Sequence, residues 1–121
     1  MSIQSFREST TFLERQKRSN LLLIKYKETV PVILEKSKTD KILQLIERTK
    51  YIIPLKTTIG DMLQIIRKQM NINDSVSIYI MVGDNNKIML CGSQSINQIY
   101  KEHKNDDGFL YLEYCGENVF G

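Results

Sequence analysis

The residues best suited to chemistry lie at the end of the chain. Asp106, Asp107 and Gly108 form a turn signal, because these residue types tolerate the backbone angles of a tight reversal. The apolar run 109–114 that follows is long enough for one strand and too short for a typical helix. A short polar tail then leads to Gly121. A buried strand followed by a flexible tail with a bare terminal glycine predicts that the tail itself is the reactive part.

Other residues that could do chemistry lack the partners they would need. Cys115 and the only histidine, His103, could act as nucleophile and base, but no orienting carboxylate motif or oxyanion site accompanies them. We therefore interpret Cys115 as a packed or surface thiol and predict no catalysis. The sequence has no Gly-rich phosphate loop and no residues at metal-ligand spacing, so we predict neither cofactor nor metal. Met62 and Met70 are interpreted as core residues.

The composition is typical of one globular domain. A chain of 121 residues can bury about two-thirds of its unfolded surface in a single core. No apolar run approaches the roughly 18 residues that a membrane span requires, and we expect no secretion signal. Two cysteines are too few for a disulfide framework, which predicts a reducing compartment, the cytoplasm or nucleus. The net charge of +3 does not demand nucleic-acid binding.

Capping signals and apolar periodicity predict three helices. Thr11 and Glu14 form a capping box before a basic segment that contains no Gly or Pro. The ordinary interpretation of its basic residues is a solvated helix face. Thr58 and Asp61 cap a second helix, in which apolar residues recur at helical spacing. Ser95 begins a short third helix.

Short apolar segments between these helices predict strands. They are 30–34, 50–54, 76–82, 88–90 and 109–114. Pro31 places the first of them at an edge of the sheet or at a strand start. Pro54 ends the second, because proline cannot donate a hydrogen bond to a ladder. Between these two strands, the apolar segment 42–46 predicts a short helical turn.

The order of elements, a helix followed by ββαββ, a short helix and β, predicts an α+β protein with a ubiquitin-like β-grasp fold and an N-terminal helical extension. One main helix can cover only one face of a sheet, yet the predicted strands are apolar on both faces. We expect the basic N-terminal helix to cover the second face. We predict one domain, with the extension at 1–27, the β-grasp core at 28–116 and a flexible, reactive tail at 117–121.

Several short stretches together form a specific pattern over almost the whole chain. They are Phe12-Leu13-Glu14-Arg15, Lys25-Tyr26 with Val30-Pro31-Val32-Ile33, Lys50-Tyr51-Ile52-Ile53-Pro54, Ile66-Arg67-Lys68, Ile99-Tyr100, and Asp107-Gly108-Phe109-Leu110-Tyr111 through Phe120-Gly121. In these stretches the chain resembles the lipid-conjugated ubiquitin-like modifiers of autophagy. That family includes the GABA-A-receptor-associated protein and light chain 3 of the microtubule-associated proteins.

The resemblance implies that Gly121 is the conjugated residue and that Phe120 is its recognition neighbour. In the family, activating and conjugating enzymes pass the terminal glycine as a thioester and join it to the amino group of phosphatidylethanolamine. A cysteine protease deconjugates it. Glycine has no Cβ, so its carbonyl stays open to attack, and two acyl chains suffice for stable anchoring. The implied protein is a non-enzymatic modifier that acts in autophagosome formation, in the cytoplasm and, when lipidated, on the autophagosome membrane.

The resemblance also implies a peptide groove along the predicted strand 50–54, including Tyr51. A receptor motif of the form aromatic-x-x-aliphatic would add to this open edge as a further strand. The pocket for the aromatic anchor would be lined by Arg18, Leu22, Pro31, Lys50, Ile52 and Phe109. The pocket for the aliphatic anchor would be lined by Ile53, Pro54, Met62, Ile65 and Arg67. Burying two large side chains contributes roughly 3–6 kcal/mol, which predicts micromolar binding.

The sequence departs from the family pattern at several positions. Lys27 replaces a common proline, Thr29 replaces a common basic residue, and the turn after Val82 is longer. Arg18 stands at a first-pocket position that is commonly acidic. Beside Lys50 it makes this pocket more cationic, so we expect motifs preceded by Asp or Glu to bind more tightly.

Two other functions remain open from the sequence alone. The chain could be a modifier attached to a protein lysine, or a non-conjugated module that binds peptides or microtubules through its basic helix. Incubation with the activating enzymes and liposomes, followed by intact-mass measurement, separates the three functions by the adduct that forms.

Overall fold

A mixed sheet forms the centre of the protein, which a computed structural model describes over residues 4–72 and 75–118. The strands are β1 (Thr29–Lys36), β2 (Lys50–Pro54), β3 (Val76–Val82), β4 (Ile88–Met89) and β5 (Leu110–Asn118). They lie in the order β2-β1-β5-β3-β4. Strands β1 and β5 are parallel, and the other neighbouring pairs are antiparallel. Within the described residues, β2 is therefore one edge of the sheet and β4 is the other.

The helices begin where capping side chains satisfy the first backbone N–H groups. They are α1 (Phe6–Ser9), α2 (Phe12–Lys25), α3 (Ile59–Met70) and α4 (Ile96–His103). The hydroxyls of Thr11, Thr58 and Ser95 each accept the N–H three residues further on, which confirms the three predicted starts. At α3, Asp61 completes the reciprocal capping box, and Asn71 ends the helix in the left-handed conformation.

One face of the sheet packs against α3 and α4 and encloses the main apolar core. Because side chains alternate along a strand, every second residue of the central strands points to this side, as Val32, Ile80 and Leu112 do. Met62 and Ile66 face them from α3, at the helical spacing seen in the sequence. All of these side chains are buried.

The opposite face packs against α1 and α2, as predicted for the N-terminal extension. Phe6, Ile33 and Phe109 form a second buried cluster, against which Leu22 and Tyr111 pack. The rings of Phe6 and Phe109 meet edge to face, with centroids 5.3 Å apart. The ubiquitin-like core with a helical extension over its second face is therefore confirmed.

The segment 42–46 forms no helix, contrary to prediction. Two of its backbone N–H groups are instead satisfied by side chains: Leu43 donates to the Asp40 carboxylate at 2.8 Å, and Ile46 donates to the Tyr114 hydroxyl at 3.0 Å. Asp40 also accepts the Gly116 N–H at 2.9 Å. Asp40 and Tyr114 therefore hold this loop against β5 without a helix.

The structure decides between the two placements predicted for Pro31 and lengthens another strand. β1 is not an edge strand, because it lies between β2 and β5. Pro31 lies near the start of β1, one residue before pairing with β5 begins at Val32. β5 continues to Asn118, opposite Val76, two residues into the segment predicted as a tail. Phe120 and Gly121 lie outside the described residues.

Candidate functional site

Strand β2 presents an edge to which another strand can be added. In the described part of the chain it pairs only with β1, in an antiparallel register that places Ile52 opposite Pro31 and Lys50 opposite Ile33. The N–H and C=O groups along the outer side of an edge strand are the ordinary template for an added peptide. The predicted open edge at residues 50–53 is therefore present.

The pleat of β2 divides the site between the two faces of the sheet. Residues directly opposite each other lie on the same face, so Lys50 and Ile52 point to the α2 side with Ile33 and Pro31. Ile53 points to the α3 side, where it is part of the main core. An added strand alternates in the same way, so two anchors three residues apart point to opposite faces. The spacing of the motif thus matches one pocket on each side of β2.

On the α2 side, the predicted first-pocket residues surround the ring of Phe6. This side chain is only 6% exposed and contacts Phe109 and Ile33. The Lys50 ammonium lies 4.9 Å from the centre of the Phe6 ring, and the Arg18 guanidinium carbon lies 5.8 Å from it. Leu22 packs against the same cluster, so four of the six predicted residues, Arg18, Leu22, Lys50 and Phe109, converge on the cluster that Phe6 forms with Ile33 and Phe109.

The other two predicted residues border this cluster. Pro31 is buried beneath it in β1, and Ile52 is partly exposed on the adjacent strand. Phe6 itself was missed by the sequence analysis, because α1 is only four residues long and has no periodicity. A signal did exist: Ser5 and Glu8 have the spacing of a helix N-terminus, and the Ser5 hydroxyl accepts the Glu8 N–H at 3.1 Å.

On the α3 side, an open depression of about 1040 Å³ lies beside β2. It is lined by residues 44–51 together with Ile65 and Gln69. Ile65 is 40% exposed, whereas Ile53 and Met62 are buried and can only form the floor of a pocket. The Tyr51 hydroxyl donates to the Arg48 carbonyl at 2.9 Å and accepts from the Gln69 amide at 3.2 Å. Pro54 ends β2 and is exposed.

Arg67 does not line this pocket, contrary to prediction. Its guanidinium donates to the Val76 carbonyl at 2.7 Å, which ties it to β3. Residues two apart on a helix are separated by about 200° around its axis, so Ile65 and Arg67 lie on opposite flanks of α3. Gln69, one turn after Ile65, takes the groove-side position that had been assigned to Arg67.

The edge is bordered by cations. Among the described residues, Arg18, Arg48 and Lys50 form no ion pair with an acidic side chain. Arg48 and Lys50 line the depression, and Arg18 lies over the first pocket. A peptide with acidic residues near its anchors would therefore meet complementary charge.

A buried carboxylate fixes the geometry of the α2 side. Asp107 is fully buried and accepts hydrogen bonds from Arg15 Nε at 2.8 Å, the Tyr111 hydroxyl at 2.6 Å and the Phe109 N–H at 2.9 Å. Burial, followed by this hydrogen bond, raises the pKa of Tyr111 above its usual value, so the phenol remains a donor. The network joins α2 to the start of β5 and positions Phe109 for its contact with Phe6.

The turn before β5 approaches α2 closely. The Ser19 hydroxyl donates to the Asp107 carbonyl, and Gly108 has a φ of 94°, in the region that favours glycine. A Cβ at Gly108 would also overlap the Ser19 hydroxyl. The Asp-Gly turn predicted from sequence is present, and its glycine is required by both the backbone angle and the contact with the helix.

The thiol considered as a nucleophile is not activated. Burial raises the pKa of Cys115 above its usual value, and nearby Asp40 raises it further, so the thiolate is disfavoured at neutral pH. His103 lies beside Glu102, with 3.8 Å between Nε2 and the carboxylate. Across residues 4–72 and 75–118, no helix is both long and apolar enough to span a bilayer.

Comparison with known proteins gives consistent matches. A family model described as autophagy protein Atg8, ubiquitin-like, matches residues 14–121. The chain is 38% identical over 116 residues to Autophagy-related protein 8 of Lodderomyces elongisporus, covering 96% of this chain and 77% of that protein. It is 34% identical over 121 residues to Autophagy-related protein 8d of Arabidopsis thaliana, covering 100% of this chain and 98% of that protein. The crystal structure of Trypanosoma brucei ATG8 superimposes with a TM-score of 0.85 at 27% identity, covering 99% of this chain and 100% of that one.

Proposed function

Since the chain belongs to the Autophagy-related protein 8 family, we propose that it is joined through Gly121 to phosphatidylethanolamine and recruits receptor peptides along β2. Proteins of this family are ubiquitin-like modifiers in autophagy and not enzymes, and lipid conjugation is their known role. Ubiquitin-like conjugation enzymes and receptors are accordingly partners of this chain. The lipid, the conjugated residue and the receptor motif are the specific content of the proposal.

The proposed conjugation uses the carboxyl group of Gly121. Reaction of this group with ATP forms an acyl adenylate and releases diphosphate. Attack by the first enzyme's cysteine forms a thioester and releases AMP, and exchange passes the acyl group to the second enzyme's cysteine and frees the first thiol. Attack by the lipid amine then forms the amide and releases the last thiol. Phe120 would contact the enzymes next to the reacting carbon. Gly121 follows Asn118, the last residue of β5, by three positions, so the strand would deliver a short tail to these enzymes. Deconjugation by a cysteine protease would return the protein from the autophagosome membrane to the cytoplasm.

A reconstituted reaction tests the conjugation. The chain is incubated with activating and conjugating enzymes, ATP and liposomes that contain phosphatidylethanolamine, and its intact mass is measured. We expect a lipid adduct with the unmodified chain and none with Gly121→Ala. An adduct on a protein lysine would instead support the alternative modifier, and a chain that forms no adduct would be a non-conjugated module.

The proposed receptor site rests on one observation: within the described residues β2 is an open edge, with the Phe6–Phe109 cluster on one face and a depression of mixed polarity on the other. The aromatic anchor would enter the α2 side and contact Phe109 and Ile33, where the Phe6 ring now lies. The aliphatic anchor would enter the α3 side beside Tyr51 and Ile65. Backbone hydrogen bonds to β2 would hold the peptide between the two anchors.

The cations at this edge would favour acidic motifs. Arg18, Arg48 and Lys50 form no ion pairs within the described residues. Acidic residues next to the aromatic anchor would therefore gain Coulomb attraction and would associate faster at low salt.

Titration calorimetry with a synthetic peptide tests the receptor site. The peptide carries Asp or Glu before an aromatic-x-x-aliphatic motif, and we expect a dissociation constant in the micromolar range, about −8 kcal/mol. Lys50→Glu and Ile65→Gln should each weaken binding about tenfold. Ile88→Gln is the matched control, because Ile88 is exposed on β4 at the opposite edge. An equal loss of peptide affinity in all three variants, or an affinity unchanged by Lys50→Glu and Ile65→Gln, would show that the peptide binds elsewhere.

A further inference from the structure

Helix α2 carries large aliphatic side chains on the side that faces away from the sheet. Ser19 is buried against the turn at Asp107 and Gly108, whereas Leu13, Leu21 and Ile24 are 58%, 67% and 73% exposed. At 3.6 residues per turn, these three side chains lie within about 80° of one another and point away from Ser19. Exposed aliphatic residues are common singly, but three aligned on one helix form a patch that folding does not explain.

Lysines are interleaved with this aliphatic stripe. Lys17 lies one turn from both Leu13 and Leu21, and Lys25 follows Ile24 at the end of the helix. Neither lysine forms an ion pair within the described residues. Glu14 is the only acidic residue in α2. We call these five residues, Leu13, Lys17, Leu21, Ile24 and Lys25, the outer α2 surface.

We propose that the outer α2 surface docks directly on an anionic lipid bilayer. The aliphatic side chains would enter the level of the lipid head groups, and the ammonium groups of Lys17, within the stripe, and of Lys25, at its border, would reach the lipid phosphate groups. A helix of 14 residues is about 21 Å long and can lie flat in this interface. The mixture suits lipid because lysine stems can lie along apolar surface while their ammonium groups stay in water.

The mixture of lysines and aliphatic side chains argues against a second copy of the chain, or another protein, as the partner of this helix face. A symmetric dimer uses the same patch on both copies, so it would bring two sets of unpaired lysines together. The cores of protein interfaces are depleted in lysine, yet Lys17 lies in the middle of this stripe. An anionic bilayer instead attracts each lysine near its surface and accepts the apolar side chains without a matching pocket.

This contact needs no covalent lipid and uses neither Gly121 nor the β2 edge. The unconjugated chain should therefore bind anionic vesicles, even if the proposed conjugation proved wrong. Conversely, a chain that is conjugated normally but does not bind vesicles before conjugation would overturn only the docking proposal.

A fluorescence experiment reports insertion at a single position. The chain contains no tryptophan, so Leu21→Trp introduces one reporter on the outer α2 surface. We expect its emission to shift to the blue when vesicles of phosphatidylcholine with about 30% phosphatidylserine are added, and to return at high salt. Ile88→Trp is the matched control, since Ile88 is exposed on the edge strand β4. Equal shifts for the two reporters, or no shift at Leu21→Trp, would overturn the proposal.

Vesicle sedimentation then measures the contribution of the surface. The double variant Leu21→Gln, Ile24→Gln should bind anionic vesicles at least about tenfold more weakly. The double variant Lys17→Glu, Lys25→Glu should lose the part of the vesicle affinity that depends on salt. The control Ile88→Gln, Met89→Gln removes exposed aliphatic residues from β4 and should bind as the unmodified chain does. Equal binding by all variants contradicts the proposal. A change of self-association in the Leu21, Ile24 variant would assign the surface to a dimer instead.

Discussion

On the α3 side of the sheet, Ile66, Ile80 and Leu112 lie in a continuous apolar core, whereas on the α2 side the Phe6–Phe109 contact lies beside the buried carboxylate of Asp107. The first side is stabilised by burial, which is non-directional and depends on the apolar area removed from water. The second side adds hydrogen bonds and an ion pair, which act only at defined distances and angles.

The α3 side therefore mainly stabilises the fold, whereas the α2 side also fixes the positions of particular residues. The apolar core holds α3 on the sheet through buried area, and other aliphatic side chains of similar total volume could replace the present ones. The Asp107 network instead sets where α2 and Phe109 lie, and these form the first pocket of the proposed receptor site. The β2 edge lies between the two sides. Its α3 side is an open depression, and its α2 side is filled by Phe6.

The largest expected effect comes from removing the carboxylate on the α2 side. Asp107→Ala leaves Arg15 without its partner at a site where the Arg15 side chain is 11% exposed. Removing one partner of a buried ion pair costs about 3–5 kcal/mol of the free energy of unfolding, measured by urea denaturation. The neighbouring Asp106→Ala is a matched control, because Asp106 is exposed and should change stability by less than about 0.5 kcal/mol. Similar values for the two variants would mean that the network does not hold the α2 side.

A cavity on the α3 side should be nearly as costly, but for a different reason. Ile80 is fully buried in the main core, and Ile80→Ala should lower the free energy of unfolding by about 3 kcal/mol. Because burial is non-directional, the α2 side should keep its geometry, and peptide affinity at the β2 edge should not change. Ile88→Ala, at an exposed position of β4, controls for the loss of an isoleucine. Loss of peptide affinity in the folded Ile80→Ala protein would show that the two sides are coupled.

The α3 side was largely predictable from the sequence. The alternation in 76–82 gave the bounds of β3 as Val76–Val82, and Thr58 with Asp61 gave the start of α3. These signals are local, because a strand period and a helix cap are both written in neighbouring residues. Helix geometry alone also separates Ile65 from Arg67, so the wrong placement of Arg67 was avoidable.

The α2 side was predictable only in outline. Apolar residues on both sheet faces required a second cover, and the N-terminal helix provides it. The contacts themselves join distant parts of the chain: Arg15 and Asp107 are 92 residues apart. Nothing in the sequence around Asp107 distinguishes it from the exposed Asp106 beside it. Pairings of this kind are set by the fold, so residue types alone did not indicate them.

The first pocket differs from the second because a side chain of the protein itself, that of Phe6, occupies it. Phe6 fills the first pocket, so an incoming aromatic anchor would have to displace its ring from Phe109 and Ile33. Phe6→Ala should therefore strengthen binding of the aromatic-x-x-aliphatic peptide about tenfold, or about 1.4 kcal/mol, by calorimetry. Phe6→Leu is the control, since it keeps an apolar side chain in the pocket and should gain less. Weaker binding by Phe6→Ala would show that the ring is instead a wall that the peptide contacts.

The smallest expected effect concerns the contacts that hold α1, and with it Phe6, on the α2 side. The Arg7 guanidinium, hydrogen-bonded to Asp84 at 2.9 Å, lowers the pKa of that carboxyl below its ordinary value of 3.8. A lowered folded-state pKa means that this stabilisation is complete above about pH 4 and is lost as the pH falls through the lowered value. Both side chains are substantially exposed, so the effect should be small and weaker at high salt. The NMR shift of the Arg7 guanidinium should move in acid toward its position in Asp84→Asn, in which this contact is weakened at every pH. Identical titration of the Arg7 guanidinium in both proteins would show that this ion pair does not help to hold α1.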